Sequence, residues 1–347
     1  MSNQISFKYL DSKDYDKWDT YVDHHPEGTF FHLSGWRDVI AEVFSHRPHY
    51  LMALRDGLVV GVLPLFEQRS VLFGHTLVST PFCVYGGPIA DDDECRIALE
   101  TRALEIAQDI NVDYVELRYR HPVASSSPWV DHCQHASFHC PIGEGEDQIL
   151  TSIKRKQRAV IRHSLKNNLT HEVQTNPDEC YDIYAESVRN LGTPVFSRSL
   201  FRTLQERFGN QCNALVVKDD NGTPVSAVLN FYYKNAVFPY YGGGREVARE
   251  LKSNDYMYYQ LMVESGAAGY QAFDFGRSKI GSGAHAYKKH WGMDERTLNY
   301  KVALIKKKEL PDLSPNNPKY QLMIKLWRRF PLPISKTIGP AISKFLG

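Results

Sequence analysis

The sequence predicts a mixed α+β chain: two similar units in tandem, each a twisted mixed sheet flanked by helices, followed by a helical tail. Three observations carry this reading. A strand–turn–strand pattern occurs twice, from Tyr50 to Phe66 around Asp56-Gly57 and from Ala214 to Phe231 around Asp219 to Gly222. Their returning strands read Val-Val-Gly-Val-Leu (59–63) and Val-Ser-Ala-Val-Leu (225–229). A Gly-Gly pair then follows each hairpin (Gly86-Gly87, Gly242-Gly243) and an acidic residue sits in each closing strand (Glu116, Asp274), at offsets of 156 and 158 residues. Near-equal offsets across unlike elements point to duplication.

Each element follows in order. Apolar spacing predicts helices over Asp14 to His24 and Leu33 to Phe44, then the first hairpin, a helix over Glu94 to Asp109, and a closing strand from Tyr114 to Arg118. A basic helix is expected from Ile149 to Lys166, with Ile149, Ile153, Val160, Ile161 and Leu165 on its apolar side. Helices over Pro177 to Asn190 and Ser199 to Phe208 precede the second hairpin, and a helix over Asp255 to Gly269 precedes the strand Phe273 to Arg277. Pro, Gly and acids cluster at 141–146, which places the units at 1–143 and 144–310 and leaves a Pro-rich linker and basic tail at 311–347.

Composition narrows the function classes. With 42% hydrophobic and 23% charged residues in 347, the chain is neither disordered nor a coiled coil. Lys plus Arg (41) nearly balances Asp plus Glu (40), so any affinity for polyanions must be local. The first eighteen residues contain no apolar segment, and no apolar run reaches the roughly eighteen residues that cross a bilayer, so a cytoplasmic location is expected. Six cysteines without a Cys-x-x-Cys pair suit reduced thiols rather than a disulfide framework. Asp131-His132-Cys133-Gln-His135 to His139-Cys140 is dense in metal-ligating types. It reads as a strand with side chains on both faces, so no metal is expected.

Phe273-Asp-Phe-Gly-Arg-Ser-Lys-Ile-Gly-Ser-Gly283, with Tyr287-Lys-Lys-His-Trp-Gly292, resembles the signature of FemAB-related proteins. Lys154-Arg-Lys-Gln-Arg158-Ala-Val-Ile-Arg162 is similar to that family's basic helix, and with Gly192-Thr-Pro-Val-Phe196 the pattern is most similar to FemAB proteins associated with the exosortase/PEP-CTERM system. The resemblance spans roughly residues 5 to 345. It implies two acyl-CoA N-acyltransferase (GNAT) folds in tandem, and transfer of an acyl or aminoacyl group onto an amine of an envelope or exopolysaccharide precursor. The implied donor is acyl-CoA or aminoacyl-tRNA.

Acyl transfer to an amine passes through a tetrahedral oxyanion, so it needs a fixed cation or donor and a proton acceptor. Lys288 stands where the resemblance places a lysine against the acyl group; the alternative is a solvated lysine beside Lys289. Alternation turns Asp274 away from Phe273 and Phe275, as proton acceptor, as orienter, or as a structural partner of an arginine. Tyr241 is a third catalytic candidate, as a donor to the acceptor or a wall of the pocket, with core packing as the alternative, and Trp291 is a candidate substrate contact. Arg277, Ser278 and Lys279 offer donors for phosphate or carboxylate, and Gly242, Gly243, Arg245 and Arg249 lie where a GNAT unit meets pyrophosphate. The usual Arg/Gln-x-x-Gly-x-Gly/Ala loop is absent there, as is the Gly-Lys-Ser/Thr of a nucleotide-hydrolysing loop.

Lys154, Arg158, Arg162 and Lys166 fall at i, i+4 spacing, a stripe suited to phosphate on CoA, a tRNA stem or a lipid-linked sugar, or to plain solvation. Nothing resembles a sequence-reading nucleic-acid module. Residues 319–347 carry six basic residues and no acid, with Leu322, Ile324, Leu326, Trp327, Phe330 and Leu332. Peripheral contact with anionic membrane and docking on the folded body are both open readings. A non-catalytic scaffold is the alternative to an enzyme, and the oligomeric state is not readable from sequence.

Overall fold

The computed structural model describes residues 4–71, 73–124, 126–310 and 318–346. The chain forms two compact units, Met1–Gln134 with Leu298–Asp312 and Phe345–Gly347, and His135–Thr297 with Leu313–Lys344. The first contains β1 (Ser6–Tyr9), α1 (Tyr15–His24), α2 (Gly35–Phe44), β2 (Arg47–Pro48), β3 (Leu51–Arg55), β4 (Leu58–Leu63), β5 (Leu65–Ser70), β6 (Gly74–Ser79), β7 (Ile89–Ala90), α3 (Asp93–Asp109), β8 (Tyr114–Tyr119) and β9 (Val130–His132). The second contains β10 (His135–Pro141), α4 (Gly145–Ser152), α5 (Arg155–Ser164), β11 (Thr170–Gln174), α6 (Asp178–Leu191), α7 (Arg198–Phe208), β12 (Cys212–Lys218), β13 (Pro224–Tyr233), β14 (Ala236–Gly244), α8 (Ala248–Leu251), α9 (Ser253–Ala267), β15 (Ala272–Lys279), α10 (Gly283–Trp291) and β16 (Asp294–Thr297). β17 (Asn299–Leu304) returns to the first unit, and α11 (Pro318–Trp327) and α12 (Leu332–Ser343) belong to the second.

The two units share one strand plan. In the second unit the order is β11-β12-β13-β14-β15-β10-β16, antiparallel except for the parallel pair β14 and β15. In the first unit the same path is divided at Pro64, where β4 ends and β5 begins. β1-β3-β4-β7 and β2-β5-β6-β8-β17-β9 are consequently separate sheets, with β6 and β8 as the parallel pair. Proline donates no ladder hydrogen bond, which suits it to such a break. The parallel pair in each unit is joined by a long helix, α3 or α9, as parallel strands require.

The chain path corrects the expected boundary. β10 pairs with β15 and β16 in the second sheet, and β17 pairs with β8 and β9 in the first. Residues 135–143 therefore belong to the second unit and 298–310 to the first; Pro141 to Glu146 is a turn from β10 into α4 rather than an inter-unit linker. Local composition cannot show which sheet a strand joins, because pairing is a long-range choice. The Pro-rich segment from Pro311 lies outside the described residues up to 317.

Two further expectations are corrected. The basic helix of 149–166 is broken: Ile153 and Lys154 are extended (ψ 141° and 140°), and Ile153 is buried in the core. The break leaves carbonyls exposed at the end of α4, and the Arg158 guanidinium takes those of Thr151 (2.9 Å) and Ile153 (3.0 Å). The two Gly-Gly pairs are not equivalent either. Gly86 and Gly87 lie in the loop after β6 and both donate to the Arg118 carbonyl, whereas Gly242 and Gly243 are inside β14.

Close packing requires glycine at 243, since a Cβ there would lie 2.4 Å from the Ser187 Cβ of α6. Gly243→Val is expected to lower unfolding stability by about 1–3 kcal/mol through overpacking. A urea titration should show a lower midpoint with unchanged slope, and Ser187→Gly should recover part of the loss.

Candidate functional site

The candidate site is built on the C-terminal half of β15. β14 and β15 share ladder positions only at Ala236 with Ala272 and Val237 with Phe273, and both strands are irregular just beyond. On β14 the register against β13 slips between Leu229 and Asn230, leaving Tyr240 as an extra residue. On β15 the register against β10 slips between Ser137 and His139, so Phe275 and Gly276 together oppose Phe138. Gly276 takes φ +68°, a left-handed conformation that favours glycine in such a bulge.

Lys288 reaches this bulge from α10. Ser282 caps the helix by accepting from the His285 amide (3.2 Å), and Gly292 ends it at φ +85°. The Lys288 Nζ donates to the carbonyls of Phe275 (2.5 Å), Gly276 (3.1 Å) and Arg277 (3.1 Å) and lies 5.1 Å from the Phe275 ring centroid. An ammonium has three donors, so all three are engaged. Burial pushes the Lys288 pKa down to about 8, Arg277 lowers it further and Asp274 opposes the shift. Since this folded-state value lies below the usual 10.5, the cost of burying the charge is fully present below pH about 8 and fades as pH rises toward 10.5.

Asp274 sits behind the bulge. Its Oδ1 accepts from the Gly276 amide (2.9 Å), and its Oδ2 lies 3.6 Å from His139 Nδ1. The other ring nitrogen of His139 is 2.8 Å from the Ser137 hydroxyl. In sequence, His139 is legible as a metal ligand or as the partner of a cysteine nucleophile, and neither it nor Ser137 is legible as a neighbour of Asp274, because residues 135–143 read as part of the first unit. Among the described residues no group of three or more His, Cys, Asp or Glu side chains is placed to hold a metal ion.

The remaining candidates fall into three groups. Arg277 and Lys279 are partly exposed on β15 and flank Ser278, whose buried hydroxyl has no hydrogen-bond partner among the described residues. Tyr241 and Trp291 are core: Tyr241 packs against Tyr184, Phe196 and Phe201, while Trp291 is 1% exposed among Tyr258, Phe275 and Tyr287. Tyr287 also donates to Asp255 (2.9 Å), which accepts from Gln157 (2.6 Å), tying α10 to α9 and α5. Burial raises the Asp255 pKa, against the lowering effect of these bonds. This buried clamp had no sequence signal, since its three members are far apart in the chain.

The third group comprises the expected phosphate ligands. Lys154 caps α10 by donating to Lys289 O (3.2 Å), Arg158 caps α4, and Arg245 pairs with Glu186 (3.5 Å). Arg249 and Arg162 are exposed. Gly242 is close-packed, a Cβ there meeting Tyr258 Oη at 3.0 Å. In the first unit a cavity of about 140 Å³ is lined by His25, His32, Arg96, Tyr119, Arg120 and His121, among others.

Comparison with known proteins follows the same lines. The Acetyltransferase (GNAT) domain family matches residues 150–289, the segment that carries Lys288 and Asp274. The Lipid II:glycine glycyltransferase of Staphylococcus aureus (strain COL) is 26% identical over 192 residues, which cover 50% of this chain and 45% of that relative; the match thus spans less than half of the relative's length. Among solved structures, FemX superposes with a TM-score of 0.68 at 16% identity, covering 92% of this chain and 100% of that one. L-PGS from Bacillus licheniformis reaches 0.55 at 13% identity (93% and 99% covered). A tandem GNAT protein from the clavulanic acid biosynthesis pathway reaches 0.54 at 12% identity (88% and 100% covered). The fold is therefore that of the tandem GNAT proteins, and the sequence likeness extends to a transferase of the FemAB kind.

Lys288→Met is expected to leave the bulge carbonyls without their donor and to cost at least about 2 kcal/mol, against about 1 kcal/mol for Gly276→Ala. Chemical denaturation should rank the two in that order.

Proposed function

We propose that this chain is a FemAB-like N-acyltransferase that moves an acyl or aminoacyl group onto an amine of a cell-envelope or exopolysaccharide precursor, on the cytoplasmic side. The observation that carries the reading is the half-buried Lys288 ammonium fixed on the bulge of β15, with Asp274 and His139 behind it. The likeness to a lipid II glycyltransferase and to FemX supports the reaction class.

In this reading the acceptor nitrogen attacks the carbonyl carbon of the donor and the carbonyl oxygen becomes an oxyanion. The C–S bond of an acyl-CoA, or the ester C–O bond of an aminoacyl-tRNA, then breaks. The amine proton passes to the Asp274–His139 pair and from there to the departing sulfur or oxygen, so no covalent enzyme intermediate is needed. Because the three Lys288 N–H groups already serve backbone carbonyls, Lys288 acts through its charge and by holding the bulge, not by a free hydrogen bond to the oxyanion. The buried Ser278 hydroxyl and the flanking Arg277 and Lys279 hold anionic or polar substrate groups.

A second reading has its own support. Trp291 and Tyr287 fill the space beside β15, as in a fold kept as a non-catalytic scaffold for envelope assembly.

Two measurements separate these readings. Melting of the purified protein is to be followed with acetyl-CoA, longer acyl-CoAs, charged tRNA and nucleotide sugars. A donor present at about a hundred times its dissociation constant stabilises the folded state by about 2.7 kcal/mol, a visible rise in midpoint. A shift with acyl-CoA or with charged tRNA names the donor; silence across the panel favours the scaffold. With a donor in hand, turnover is expected to fall on the alkaline side around pH 8 as Lys288 loses its proton. Lys288→Arg should remove that limb, because guanidinium stays charged; an unchanged profile in this variant would separate Lys288 from the reaction.

A further inference from the structure

Residues 319–347 contain six Lys or Arg and no Asp or Glu. The structure shows what holds this segment and what it leaves outside. Ser335, Gly339 and Ser343 of α12 are buried: a Cβ on Gly339 would lie 2.9 Å from Val195 O, and Ser343 donates to the same carbonyl (3.1 Å). Lys336 pairs with Asp182 (2.5 Å), Arg189 donates to Phe330 O (3.3 Å), and Arg328 donates to Leu191 O (3.2 Å). The tail is thus a docked element of the second unit.

Its opposite side is apolar and basic. Ile334 (44% exposed) and Ile338 (43%) stand four residues apart on α12, and Met323 (46%) and Leu326 (51%) three apart on α11, so each helix presents an apolar stripe. Lys325 on α11, and Arg328 and Arg329 in the turn that follows it, are exposed beside this stripe. Leu191, at the end of α6 and bonded to Arg328, is 62% exposed. Exposed aliphatic side chains beside uncompensated cations are the composition of helices that lie in the interface of an anionic bilayer. Among the described residues no helix is long and apolar enough to cross one.

We propose that α11 and α12, with Leu191, form a surface that seats the protein on an anionic phospholipid bilayer. Charge selects this occupant: a tail with six basic and no acidic side chains complements a negative headgroup layer, while the aliphatic residues insert at the acyl boundary. Binding of this kind does not require acyl transfer, so a catalytically silent chain would show it equally.

The test is co-sedimentation of the full chain with vesicles of phosphatidylcholine and phosphatidylglycerol in equal parts, and with vesicles of phosphatidylcholine alone. Binding is expected to the first and not the second, and to weaken as salt is raised. Lys325→Gln with Arg329→Gln should lower the partition coefficient about fivefold per cation. Ile334→Asp with Ile338→Asp should abolish binding while melting stays unchanged, because both side chains are exposed in the folded protein. Failure of the wild-type chain to sediment with the anionic vesicles would overturn the proposal, as would equal binding to neutral ones or wild-type partition in the variants. It would also fall if the isoleucine variants broke a dimer in sedimentation velocity and left vesicle binding intact, since a second copy would then be the occupant.

Discussion

The ammonium of Lys288 on the bulge of β15 is the interaction on which the geometry of the candidate site depends. A bulge displaces carbonyls from the ladder, and backbone acceptors without a donor are costly inside a protein. Here one side chain satisfies three consecutive carbonyls and brings a positive charge with them. Asp274 fixes the same bulge from the other end through the Gly276 amide. The charge, the carboxylate and the strand irregularity form one device, and removing any member releases the others.

Several elements serve to hold that device in place. Trp291 anchors α10 in the core, Tyr287 ties it to Asp255, and Lys154 caps its C-terminus. β10 supplies His139 and Ser137 to the strand that carries Asp274. The first unit has the same strand plan without the same chemistry. At the end of β8 the Arg118 guanidinium bonds Glu116 and the Cys83 carbonyl, and the Arg118 carbonyl accepts from Gly86 and Gly87. The loop after β6 is closed onto the strand by these bonds.

Much of the fold was legible because it is written locally. The hairpins, the helices of both units and the two closing strands follow from periodicity and turn residues, and observed ends lie within a few residues of those expected. Pro64 was not seen to divide the first returning strand, and Ile153 was not seen to break the basic helix. The first follows from the missing donor of a proline placed within the ladder, the second from burial of Ile153 against residues distant in sequence. The site was legible in part. Asp274 and Lys288 stood out through the motif they share, whereas Tyr241 and Trp291 resemble ligand-binding aromatics in sequence and are core residues in space.

What the sequence determined by itself is the duplication, the element types and the residues that carry unusual chemistry, since each rests on spacing within a few turns of chain. The tertiary structure alone decided which sheet receives β10 and β17, and hence that His139 stands beside Asp274. It also decided that Lys154, Arg158 and Lys288 each donate to backbone carbonyls. The pairings of β10 with β15 and of β17 with β8, and the Lys154 bond to Lys289, join groups more than a hundred residues apart, while Arg158 and Lys288 find nearby carbonyls only where a helix ends or a strand bulges, so no local pattern encodes the partner.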